Sequence, residues 1–106
     1  MKSRTGIAPY DSSPKLQRGG LSYKPLTIFQ ADALYAIADE RDRQDTKWGE
    51  QNHSDERWLA ILTEEVGEAS RDILEDKPDS LEVELQQVAA VAVAWLESIR
   101  RRRKTE

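Results

Sequence analysis

The chain contains no cysteine, which excludes disulfides, thiolate nucleophiles and cysteine-ligated zinc. It has a single histidine, His53, so a histidine-rich metal site is excluded as well. Only oxygen ligands remain in number, and these suit Mg²⁺ or Mn²⁺. Long hydrophobic runs are also missing. The longest, Val88 to Leu96, is far below the ~20 residues that cross a bilayer. The N-terminal bases are not followed by the apolar stretch of a leader peptide, so the expectation is a soluble cytoplasmic protein without membrane contact. No segment alternates apolar and polar residues long enough to make a strand, and no internal repeat is present.

What the chain has in quantity is charge, and the charge is unevenly placed. Twenty acidic and 16 basic residues give a net −4 over 106 residues. Residues 1–24 carry +4 and residues 100–106 carry +4, which leaves −12 for residues 25–99. An acidic centre attracts cations and repels nucleic acid. The arginine run Arg100 to Arg103 lacks the interleaved aromatics of a nucleic-acid site. It reads as a complement to a helix C-terminus that also keeps the chain soluble, so no nucleic-acid partner is expected.

Pro9, Pro14, Gly19, Gly20 and several serines, without apolar periodicity, mark residues 1–24 as a flexible basic tail. Residues 25–106 then form one domain, too small to bury a large core. Thr27 to Gln30 has the pattern of a capping box, and Ile28, Ala31, Leu34, Tyr35 and Ala38 recur at helical spacing, predicting a first helix from Ile28 to about Asp45. Ser54 or Asp55 caps a second helix that reaches Leu74. After the turn Asp76-Lys77-Pro78-Asp79, a third helix starts at Ser80, or with Asp79 as its cap, and runs to the arginines. The fold class is all-α, a bundle of three main helices completed by oligomerisation.

Projection of the second helix at 100° per residue gives two faces. Leu59, Leu62, Val66, Ala69 and Ile73 share an apolar face, while Glu64, Glu65, Glu68 and Asp72 share an acidic one bordered by Trp58 and Ile61. Ala60, Thr63, Gly67 and Ser70 form a third strip of small residues that would permit a close helix contact. In the third helix, Val88 to Leu96 is apolar on every side, as in a helix buried all round. A monomer of this size can hardly cover it, so a homodimer or homotetramer through that helix is expected. Glu84 points along the apolar stripe of Leu81, Val88, Val91 and Trp95, where an unpaired carboxylate is costly. A cation must meet it, or a base such as Arg41 or Arg71.

Glu64, Glu65 and Glu68 on one helix thus face Glu84, with Gln87 one turn further on, on the next. Two helices that each offer oxygens one turn apart can surround a hard cation. Glu64-Glu65-Val66-Gly67-Glu68 followed by Glu84-Leu85-Gln86-Gln87 resembles the paired EExxE and ExxD motifs of the MazG-like nucleotide pyrophosphohydrolases, in the all-α NTP pyrophosphatase superfamily. Arg43 to His53 and Gln87 to Glu97 look like a short single-domain branch of that family, and the resemblance spans about residues 27–100.

The resemblance implies a hydrolase that cleaves a nucleoside triphosphate to the monophosphate and pyrophosphate, with Mg²⁺ or Mn²⁺ activating a water that attacks the α-phosphorus. It assigns the metal to Glu65, Glu68, Glu84 and Gln87, and makes Glu64 a helper that supports a ligand or positions water. Lys47 would contact phosphate, Trp48 would stack on the base, and His53 would bond phosphate or sugar. One position departs from the pattern: Gln87 stands where the family has Asp, and an amide oxygen brings no charge to a cation. That departure keeps open an alternative, a non-catalytic module of the same fold that binds metal or nucleotide without turnover.

Overall fold

A computed structural model describes residues 24–105, and the expected tail, apart from Lys24, lies outside them. Three helices make up the described part: α1 (Ile28–Trp48), α2 (Asp55–Leu74) and α3 (Pro78–Thr105). There is no strand among the described residues, so the chain is all-α here. No helix of the described residues is long and apolar enough to cross a membrane.

Local chemistry sets the helix ends. Thr27 and Gln30 form the expected capping box: Thr27 Oγ1 accepts from the Gln30 amide at 3.0 Å, and Gln30 Oε1 accepts from the Thr27 amide at 2.8 Å. α1 runs three residues past Asp45, because Gly49 can take a positive φ of 75° and return its N–H to the Asp45 carbonyl at 2.8 Å. Ser54 caps α2 through the Arg57 amide. At its other end Asp76 stands at φ 56°, and the Lys77 and Asp76 amides donate to the Asp72 and Ile73 carbonyls at 2.9 and 3.2 Å. This is a Schellman closure with aspartate where glycine is usual. α3 begins two residues before Ser80. Pro78 fits the first helical position, since its missing N–H would have had no partner there.

α1 and α2 each pack on α3 and not on each other. α2 runs antiparallel to α3, bringing Asp55 to Trp95 and Glu65 to Glu84. α1 runs parallel to it, with Phe29 and Ala33 near Leu85 and Arg41 near Glu97. The small core comprises Trp58, Ala69, Ala90, Val91 and Ala94, with Ile61, Leu62 and Trp95 packed around it. α1 contributes no buried residue. The stretch from Val88 to Trp95 is buried or half-buried between the outer helices, and Leu96 is left exposed.

The outer helices turn only part of their apolar faces inward. α2 packs through Trp58, Ile61, Leu62, Glu65 and Ala69, so the stripe of Leu59, Val66 and Ile73 faces outward. α1 packs through Ile37, Glu40, Arg41 and Gln44, and its Ile28, Leu34 and Tyr35 face outward likewise.

Candidate metal and substrate site

The antiparallel pairing of α2 and α3 brings together acids that lie far apart in the sequence. One carboxylate oxygen each from Glu65, Glu68 and Glu84 lies within 4.8 Å of the other two. Glu65 is half-buried, and this burial together with the adjoining carboxyl of Glu84 pushes its carboxyl up to about 7, with Glu68 and Glu64 adding to the effect. Glu84 is half-buried too, and its Oε1 is shut off from solvent with no hydrogen-bond partner. An orphaned buried acceptor costs about 1–3 kcal/mol.

The bases that could have met Glu84 do not do so. Arg41 is committed to Glu97 Oε1 at 2.8 Å and Asp45 Oδ1 at 2.9 Å, and no ion pair reaches Glu84 among the described residues. Three converging carboxylates with one orphaned oxygen fit a hard divalent cation, which would occupy the place that a basic side chain leaves open. Gln87, one turn from Glu84, lines the same groove as Glu65 and could offer its amide oxygen. Glu64 lies outside the cluster, exposed, and acts on Glu65 through its charge.

Because α1 and α2 do not meet, a groove of about 470 Å³ opens between them on α3. Its volume falls in the range of small-molecule sites. Glu65 and Gln87 mark one end, Ile61, Trp58, Val91 and Ala94 line the apolar middle, and Arg41, Glu97 and Arg101 close the other end. From Gln87 to Glu97 the helical rise is about 15 Å. Trp48 and His53 lie on the wall, the His53 ring meeting Trp58 edge-on with centroids 4.8 Å apart. Lys47 is not on the wall; its Nζ sits over the Trp48 ring, 4.7 Å from the centroid.

Two features of the site have no counterpart in the sequence reading. The Arg41–Glu97 pair is bidentate, with Nε and Nη2 donating at 2.9 and 2.8 Å, and it ties α1 to α3 at the groove's end. Partners on separate helices leave no spacing signal. The arginine run is a staple as well as a helix end. Arg101 donates to Asn52 Oδ1 and the Gln51 carbonyl and pairs with Glu50, while Arg102 pairs with Asp55. Together with the Trp95 Nε1 bond to Asp55 at 2.9 Å, these contacts fasten the loop that carries His53 onto α3. Trp58, fully enclosed, did have a signal: it borders the acidic face in projection.

Compared with protein-family models, curated proteins and solved structures, the chain matches none. The functional reading therefore rests on the chemistry of the site.

Proposed function

We propose that this protein is a divalent-cation-dependent nucleoside triphosphate pyrophosphohydrolase of MazG-like type, working as a homodimer or homotetramer. The observation that carries the reading is the convergence of Glu65, Glu68 and Glu84, with an orphaned Glu84 oxygen, where Glu65 lines a groove of small-molecule size. Bound Mg²⁺ or Mn²⁺ would neutralise phosphate charge and acidify a water. Glu65 and Glu84 hold the cation from the two helices, Glu68 completes the carboxylate set, and Gln87 adds a neutral oxygen. Glu64 supplies negative charge beside Glu65. The groove gives the rest of a nucleotide an apolar floor between Trp58 and Val91, with Trp48 and His53 on the wall and the Arg41–Glu97 pair at the far end. Lys47 reaches phosphate only by leaving the Trp48 ring.

The test is pyrophosphate release from a panel of NTPs and dNTPs with Mg²⁺ or Mn²⁺, beside Glu65→Ala and Glu84→Ala controls. Release from at least one nucleotide, lost by 100-fold or more in both variants, is expected. No release from any nucleotide, or equal release from the variants, overturns it. Gln87 favours one second reading, a module that binds metal or nucleotide without turnover. In that case cation binding is lost in Glu84→Ala while no nucleotide is hydrolysed.

A further inference from the structure

We propose that the outward face of α2 is the contact between two copies of this chain, packed antiparallel about a two-fold axis between Val66 and Gly67. This rests on the assembly named above and not on the nucleotide chemistry, and it moves the contact from α3 to α2. Leu59, Val66, Ile73 and Leu74 are 54%, 47%, 64% and 84% exposed. Between them lie Ala60, Thr63, Gly67 and Ser70, also exposed, and no charge falls on this face from Leu59 to Leu74. In a chain of which 34% is charged, a charge-free exposed helix face needs a cause.

Gly67 points to the same place. Glycine inside a helix costs roughly 1 kcal/mol relative to alanine, and a Cβ here would meet nothing within 4 Å. Nothing within the described chain requires the missing side chain. A close helix from outside does.

The occupant follows from the order of residues along the face, which is self-complementary when reversed. In the antiparallel register Val66 faces the partner subunit's Gly67, and Thr63 faces the partner subunit's Ser70. Ala60 meets the partner subunit's Ile73, and Leu59 meets the partner subunit's Leu74. Gly67, Ser70 and Ala60 each receive a larger residue, and the same pairs recur on both sides of the axis, as an isologous contact requires. Glu56 in the first turn comes to the end of the partner subunit's α2, beyond the apolar pairs, so the acid stays at the rim. Covering these side chains in both copies removes on the order of 1,000 Å² from water, about the size at which an interface becomes specific.

The chain lacks cysteine, so single cysteines report proximity without a background. Val66→Cys, which sits beside the axis and adds no bulk, is compared with Tyr35→Cys on α1 and Leu96→Cys on α3 under mild oxidation, beside sedimentation of the wild type at micromolar concentration. The expected result is a wild-type dimer or tetramer, with Val66→Cys forming covalent dimers at least tenfold faster than either other variant. A monomeric wild type overturns both this contact and the assembly in the functional reading. An oligomer that cross-links faster through Leu96→Cys or Tyr35→Cys overturns this contact alone.

Discussion

The residue on which most of the site's electrostatics converge is Glu65. Burial and the neighbouring Glu84 push its carboxyl up to about 7, from an ordinary value of 4.5. Between these two values the unfolded chain gives up the proton that the folded protein still holds, so the folded state binds more protons and loses stability as pH rises. The effect is complete above about pH 7. In chelator, the melting temperature is expected to fall from pH 5 to pH 7.5, and Glu65→Gln should remove the part of the fall due to this group. Added Mg²⁺ should stabilise the wild type most at the upper end, where Glu65 has already given up its proton. A fall of the same size in Glu65→Gln would contradict the assignment. Gln87 gives a second expectation. Gln87→Asp adds a charge to the ligand set and should tighten Mg²⁺ binding about tenfold, as isothermal titration would measure. An unchanged affinity would place residue 87 outside the cation's reach.

Among the elements, the turn between α2 and α3 holds the angle at which Glu65 and Glu84 meet. Asp76 occupies a left-handed conformation that costs a residue with a side chain roughly 1 kcal/mol, so Asp76→Gly should stabilise the fold by about that amount in urea melts without altering the helices. A destabilised Asp76→Gly would mean that the aspartate side chain makes a contact worth more than the strain. The helices themselves were legible because each carries its own signals: the Thr27–Gln30 box, Ser54 before α2 and the apolar period of α2. The pairing of Glu65 and Glu68 with Glu84 was legible for a related reason. A charged residue on a buried stripe needs a partner, and spacing supplied the candidates. Arg41–Glu97 and the Arg101 staple were not legible, because sequence period fixes which residues share a face and not what that face meets. The same limit applies to the apolar stripes. Leu62 and Ala69 of the α2 stripe pack inward, whereas its Leu59, Val66 and Ile73, like Ile28, Leu34 and Tyr35 of α1, are exposed. Pro78 shows a smaller version of the problem, since either Ser80 or Asp79 made a plausible cap and the proline's fitness for the first turn decided the matter.

At the scale of the whole molecule, the balance of buried and exposed apolar groups decides how the protein holds together. Among the described residues five apolar ones are buried, while thirteen large apolar side chains, among them Phe29, Tyr35, Leu59 and Ile73, are exposed. A single described chain with three alanines in a five-residue core gains little from burial, and α1 is held mainly by the Arg41–Glu97 pair and half-buried contacts. Stability should therefore come largely from association, and association carries a concentration signature. For a folded dimer in equilibrium with unfolded chains, each tenfold rise in concentration stabilises the dimer by about 1.4 kcal/mol, which for a domain of this size raises the melting temperature by roughly 3 °C or more. Circular dichroism from 1 to 100 µM should show that rise in the wild type. Val66→Lys, which puts a charge at the centre of the α2 face, should melt at lower temperature throughout. A melting temperature that stays constant across the hundredfold range, equal in wild type and Val66→Lys, would mean that the single chain is stable with its apolar faces in water.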